Sequence, residues 1–594
     1  MGQQHEADAR LAAIQSALLA GRIDEAARRL EAAIHAGEIA EQAEWWHVRA
    51  VVAYHRNQLE DAIACWRQAN QHEPLPHYRH NLATALCDLA TATVERGELA
   101  SAFTALCEAI EADPALFAAQ AALGIVATEL GQWPVAHRAL MAAVRLDGSS
   151  ARAHDALGIL AGRQHRWTEA IRHHAEAVQC DARSAEACNN LGHALLQVGR
   201  PHEAIKVLEQ ALAIDRKFAE VHNNLGNAYR DCGRFVDAQQ CFRQALQLKA
   251  NLTEAQYNLA DLHRYQADDA ELKRLLQTPV PADASHAALL LFAKGKAFDD
   301  LGLADEAFAN WREGNRLLRA NNDYDEARTL GRLERLRGCF DDHRRPLPNP
   351  APPPPPPNYA FIVGAPRCGS TLIEQILASH PAVHCLGEHN FFEQSVIAAS
   401  PQIVDEPTAW QTWDHEQIDS IAKGYVAIAQ AHAAASRGAL FVDKFLANTL
   451  YLGGIYRALP TAKVIALFRD RRDLGLSCYS KRFTTGHSYA YDLGELGRYL
   501  TAHDRLLEAA CRYFPQTNLI RIQYEELVEQ PEPIIRRLLH FLDLPWHPAC
   551  LESHLTSRVV TTASARQVRE PINRHGVDRW RRYERHLAPL LETV

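Results

Sequence analysis

No run of about 18 apolar residues occurs anywhere in this 594-residue chain, so a membrane-spanning helix is not expected. The opening residues, Met-Gly-Gln-Gln-His-Glu-Ala-Asp, have neither a basic segment nor an apolar core, and so do not read as a secretory signal. Glu6 stands where a myristoylation pattern needs Ser or Thr. Positive charge is not in excess. The 63 Lys and Arg against 72 Asp and Glu leave a net charge of −9, which argues against bulk attraction to nucleic acid or an anionic membrane surface. The 13 cysteines are odd in number and lack paired metal-ligand spacing, so neither a disulfide framework nor a zinc site is expected and a reduced, cytoplasmic setting is. What is there is ordinary for a globular chain, 47% hydrophobic and 23% charged, but too long for one core.

The amino-terminal half repeats itself. Gly124, Gly158, Gly192 and Gly226 are spaced by 34 residues, as are Ala136, Ala170, Ala204 and Ala238, and Ala143, Ala177, Ala211 and Ala245. Small residues at fixed places let two helices of one unit approach closely, while Leu123, Leu157, Leu191 and Leu225 supply core. This is the tetratricopeptide pattern of one helix–turn–helix per unit. Weaker units end at Pro74 and Pro114, and Gly295, Ala307 and Trp311 mark one more after a break near 266–286. About seven to nine helical pairs are expected, stacked as a solenoid with a concave face. Asn189-Asn190 and Asn223-Asn224 recur on the first helix of successive units. They read either as clamps for a peptide or as bonds between neighbouring helices.

Residues 346–357 end in six consecutive prolines, which favour polyproline II and a semi-rigid spacer. Beyond them short apolar runs alternate with helical patterns. Strands are expected at Ala360–Val363, Leu440–Val442, Lys463–Phe468 and Asn518–Gln523, with helices at Thr371–Ser379, Gln417–Ala435 and Leu493–Tyr513. Such alternation implies a parallel α/β sheet whose ligands bind beyond the strand carboxyl ends. Pro366-Arg367, Asp443-Lys444, Arg469-Asp470 and Tyr524-Glu525 follow the four runs and should converge. The first run opens onto Gly364-Ala-Pro-Arg-Cys-Gly-Ser-Thr371. A strand, a glycine-containing loop and a helix N-terminus form an anion site of backbone N–H groups. The Walker lysine is missing, because Ser370 fills its slot. Arg367 offers the cation instead.

On these residues the chain resembles the bacterial tetratricopeptide-repeat sulfotransferases, whose catalytic domain is similar to that of tyrosylprotein sulfotransferases. The resemblance implies an all-α solenoid over 1–335, a Pro-rich linker over 336–357 and a P-loop-like α/β domain with a parallel sheet over 358–594. The family loop Pro-Arg-Ser-Gly-Thr-Thr-Leu is matched by Pro366, Arg367, Cys368, Gly369, Ser370, Thr371 and Leu372, with Cys368 and Ser370 as departures. The implied donor is 3′-phosphoadenosine 5′-phosphosulfate. Arg469 and Ser477 match the pair that holds its 3′-phosphate, Lys481 a basic position, and Tyr524 the residue near the adenine. Ser564, Arg569 and Arg579 match the closing segment, with Glu570 an acidic departure. Glu388 aligns with the general base and Lys444 with the lysine that steadies the sulfuryl group, a charge shared by Arg367. No metal is required, because the protein supplies the cations. The repeats would recruit an acceptor protein or peptide, and their edge offers a homodimer contact. Two rival readings stay open: a kinase-like transferase, and a scaffold with a degenerate nucleotide site.

Overall fold

The computed structural model describes residues 2–35, 42–341, 358–400, 408–433, 439–483, 486–556, 558–562 and 564–592. The chain divides into two compact units, Met1–Lys217 and Phe218–Val594. The expected proline spacer at 346–357 lies outside the described residues.

The first unit is all helix. Pairs such as Phe117–Glu129 with Trp133–Leu146, Ala151–Arg163 with Trp167–Cys180, and Ala185–Gln197 with Pro201–Ile214 follow the 34-residue period. The recurrent glycines explain the close packing. A Cβ on Gly124 would stand 2.4 Å from Leu140, and one on Gly192 would stand 2.6 Å from Leu208. The partner alanines, Ala136, Ala170 and Ala204, are fully buried. Ser150 and Ser184 cap first helices by accepting from Ala153 N and Ala187 N. Asn190 donates to Asp155, at 3.0 Å, one repeat earlier, and in the second unit Asn258 donates to Asn223 at 3.0 Å. These carboxamides tie successive first helices together, which is the helix-to-helix alternative for Asn190 and Asn223.

The second unit holds both helical repeats and a sheet. Ala219–Asp231, Phe235–Leu248 and Thr253–Leu262 continue the period, and Ala284–Asp300 pairs with Ala304–Ala320, whose Trp311 fills the space over Gly295. The helix Ala270–Gln277 occupies the break. The sheet strands are β1 (Asn358–Gly364), β2 (Val383–Gly387), β3 (Leu440–Asp443), β4 (Lys463–Phe468) and β5 (Leu519–Gln523). All neighbours are parallel, in the order β2-β3-β1-β4-β5. The buried strands read as apolar runs because both faces are covered. β2, missing from the expected strands, is a short edge strand.

The sequence-based limits differ from this division in two respects. Helices before 335 share cores with the sheet: Phe292, Phe308, Trp311 and Leu318 pack in one cluster with Ile362, Ile465 and Leu496. Leu333, Leu336 and Phe340 join Phe361, Phe441 and Phe514 in another. Residues 336–341 are also helix, the end of Glu326–Asp341, not linker. Phe340 explains this, because its burial fixes the last turn against the sheet layer.

Candidate active site

β1 lies centrally, and the loop at its carboxyl end leads into the helix Ser370–Ala378. Gly369 caps that helix with φ +105°, and a Cβ there would stand 2.6 Å from the Tyr524 ring. Glycine therefore meets both a left-handed backbone and a close aromatic wall. Cys368 is buried beneath the loop, and burial pushes its thiol up to about 11, so it is a neutral packing group.

Two guanidinium groups meet at this loop. Arg367, itself at φ +71°, donates to Ser477 Oγ (3.1 Å), Ser564 Oγ (2.7 Å) and Gln567 Oε1 (3.2 Å). Arg469 donates to the carbonyls of Arg367 (2.8 Å) and Gly576 (2.6 Å), and its guanidinium lies 4.4 Å from the Tyr524 ring centroid. Its buried Nε has no partner. All of these partners are neutral. Burial lowers the Arg367 pKa from its ordinary value, opposed by Cys478, Asp261 and Tyr257 and assisted by Arg469. Two cations held by neutral acceptors at a helix N-terminus form a site for a polyanion. Thr371 Oγ1 and Thr562 Oγ1, 3.2 Å apart, close its rim, with Ser370 and Leu372 in the same first turn.

Three other expected donor residues are engaged elsewhere. Lys481 forms an ion pair with Asp261 of the helix Thr253–Leu262. Arg579 pairs with Asp299 at 2.7 Å, alongside Arg582 and the Tyr583 hydroxyl. Arg569 donates to the carbonyls of Thr556 (3.1 Å) and Arg558 (2.7 Å), and its guanidinium lies against Gly233. Spacing alone does not reveal Asp261 and Asp299, because each comes from a distant part of the chain. Glu570 lies 3.7 Å from Arg566.

Glu388 and Lys444 come together after β2 and β3. Lys444 Nζ donates to Glu388 Oε1 at 2.5 Å and lies 3.2 Å from Glu374 Oε2. Lys444 is 1% exposed, and burial would lower its pKa, but Glu374 and Glu388 together raise it. Glu374 is 2% exposed. Burial opposes its charge, yet Lys444 and Arg558 outweigh that and hold its pKa below the usual range. Arg558 donates to its other oxygen at 2.8 Å. The Glu388 side chain is 48% exposed, so its carboxylate opens outward from the buried Lys444. Glu374 and Arg558 escaped sequence reasoning. The one local signal is a carboxylate inside the apolar stretch Leu372–Leu377. Three other groups near Glu388 that could take a proton are otherwise placed: the His384 ring lies 5.5 Å from that of Phe441, His389 stacks on Phe391, and Asp443 is sealed at the end of β3.

Two clusters among the described residues have metal-ligand chemistry, His154 with His173 and Glu176, and His263 with Asp269 and Glu271. Each is already met by an arginine: Arg172 reaches both His173 and Glu176, and Arg243 pairs with Glu271. Neither touches the loop. The cysteines form no disulfide among the described residues, and no helix there is long and apolar enough to cross a membrane.

Comparison with known proteins fits this geometry. The sulfotransferase family model matches residues 358–548, and tetratricopeptide repeat models match 11–69, 149–217 and 195–262. An uncharacterized protein of Aquifex aeolicus is 33% identical over 56% of this chain and 45% of its own length. Protein-tyrosine sulfotransferase A of Caenorhabditis elegans is 26% identical over 37% of this chain and 60% of its own. Protein-tyrosine sulfotransferase 1 of Danio rerio is 30% identical over 37% and 64%. The chain thus spans about half to two thirds of the length of these relatives. A crystal structure of MamA, 25% identical, covers 27% of this chain and 94% of its own with a TM-score of 0.25. The matched regions show a sulfotransferase domain in the α/β part of the chain, joined to tetratricopeptide repeats.

Proposed function

We propose that this protein transfers a sulfuryl group from 3′-phosphoadenosine 5′-phosphosulfate to an acceptor hydroxyl, with a tyrosine of a recruited protein as the acceptor. The observation that carries the reading is the pair of guanidinium groups, Arg367 and Arg469, bonded only to neutral partners beside the Ser370 helix N-terminus. Donor phosphate groups supply the missing negative charge. In the reaction, the acceptor oxygen bonds to sulfur as the bond from sulfur to the 5′-phosphate oxygen breaks. The products are a sulfate ester and adenosine 3′,5′-bisphosphate. Glu388 takes the hydroxyl proton, and its half-exposed carboxylate is open to an incoming acceptor. Lys444, fixed by Glu374, offers its ammonium to the transferring group, with Arg367 beside the phosphates. The protein-tyrosine sulfotransferase relatives and the repeats support a protein acceptor.

Calorimetric titration with adenosine 3′,5′-bisphosphate and with ADP tests the donor. Tight binding of the bisphosphate and weak binding of ADP is expected, whereas preference for ADP would move the case to a kinase-like enzyme. Glu388→Gln should keep bisphosphate affinity and lose turnover by about 10²–10⁴-fold, the range of general-base catalysis. Unchanged turnover would remove Glu388 from the role.

A further inference from the structure

The described residues 558–562 and 564–569 face two ways. On one side they reach the loop and its helix: Ser564 and Gln567 accept from Arg367, Thr562 meets Thr371, and Arg558 holds Glu374, which in turn holds Lys444. On the other side they end on repeat helices. Val560 N donates to the carbonyl of Asp231 at 3.1 Å, and Arg566 Nη1 donates to the carbonyl of Leu262 at 2.9 Å. Asp231 and Leu262 are the last residues of Ala219–Asp231 and Thr253–Leu262, where helix carbonyls lack intrahelical partners and the dipole favours a cation. Gly233, at φ +78°, lets the Arg569 guanidinium lie flush on the turn after the first of these helices, where a Cβ would stand 2.4 Å away. The strap therefore caps two successive repeat helices through Val560 and Arg566, and reaches the loop through the neighbouring Thr562, Ser564 and Gln567.

We propose that Arg566 is a positioning residue for the donor site, acting from the repeats: by capping Thr253–Leu262 it holds the strap that presents Ser564 and Gln567 to Arg367. This rests on the donor reading above. The repeats are then part of the donor site as well as a docking surface, and loosening either helix end lowers donor affinity.

The test compares full-length wild type, Arg566→Ala and Arg566→Lys by calorimetry with adenosine 3′,5′-bisphosphate and by amide exchange. Arg566→Ala should weaken the bisphosphate about tenfold, as expected for losing one charge-assisted bond. It should speed exchange over 558–569 while leaving β1 and β4 protected. In turnover, KM for the donor rises and kcat at saturation holds. Lysine can still reach one carbonyl, so Arg566→Lys should restore most of the affinity. Unchanged affinity in Arg566→Ala overturns the proposal, whether or not exchange quickens. If wild type binds no bisphosphate, the donor reading fails by itself, and exchange over 558–569 alone decides whether Arg566 anchors the strap.

Discussion

At the scale of single residues, the site separates cations by what already neutralises them. Lys481 and Arg579 have carboxylates, whereas Arg367, Arg469 and Arg569 hydrogen-bond only to neutral groups, and of these three Arg367 and Arg469 meet at the loop while Arg569 lies against Gly233. Lys444 is a third case, buried between two carboxylates of unequal exposure. Glu374 is sealed inside with Arg558 and Lys444, so removing it leaves two cations without their shared anion. Breaking a buried pair in this way costs about 3–5 kcal/mol. Glu374→Ala should therefore lose stability of that order in urea unfolding, whereas Glu388→Ala, at the open end, should lose far less. Equal losses would contradict the division between a buried anchor and an exposed base. Family likeness to tyrosylprotein sulfotransferases points to Glu388 and Lys444, and of the two only Lys444 also follows an expected strand. It was blind to Glu374 and Arg558, since a glutamate on a helix reads as a solvated face, and no spacing links residue 374 to residue 558.

At the scale of elements, the strands were legible wherever both faces are covered. Lys463–Phe468 has the expected limits, and β1, β3 and β5 differ from expectation by one or two residues at an end. β2 was not legible because Val-His-Cys-Leu-Gly is short, mixed in polarity and only half-buried at the sheet edge. The repeats were legible from glycine and alanine spacing, since those positions have one packing solution. The end of β3 shows what sequence conceals. Asp443 is fully buried and accepts from Phe445 N (3.0 Å), Asn448 (2.9 Å) and the Tyr425 hydroxyl (3.2 Å), stitching the strand to the turn and helix around it. Burial outweighs these bonds and raises its pKa to about 7. Below about pH 4 the carboxyl is protonated in both folded and unfolded chains. As pH rises toward 7 the unfolded chain releases the proton first, so folding stability falls, by up to about 4 kcal/mol at 1.36 kcal/mol per pKa unit. Asp443→Asn removes this dependence. The stability of wild type relative to the variant should drop between pH 4 and 7 and then level off; a flat difference would show that Asp443 is ionised when folded.

At the scale of the whole molecule, the informative boundary is the one inside the repeats. Composition places the change of character at the prolines, because that is where strand patterns begin. Packing places it after Lys217, because the later helical pairs share a core with the sheet. Asn315 donates to the Tyr479 carbonyl, Arg319 pairs with Glu495, and Phe308 stacks on Tyr479 and His586. A repeat built this way has no separate stability to lose. Trp311, 1% exposed, fills the space over Gly295 within its pair and lies in the cluster that also contains Ile362 and Leu496. Truncating a buried Trp costs about 3–5 kcal/mol. If the later repeats and the α/β domain form one cooperative unit, Trp311→Ala should lower amide protection in Ala284–Asp300 and in β1 and β4 together, and leave the first unit, Met1–Lys217, unchanged. Loss confined to the helical pair would mean that the repeats melt from the sheet as a separate element. The shared clusters argue for joint loss, since the cavity left by the indole opens onto both layers.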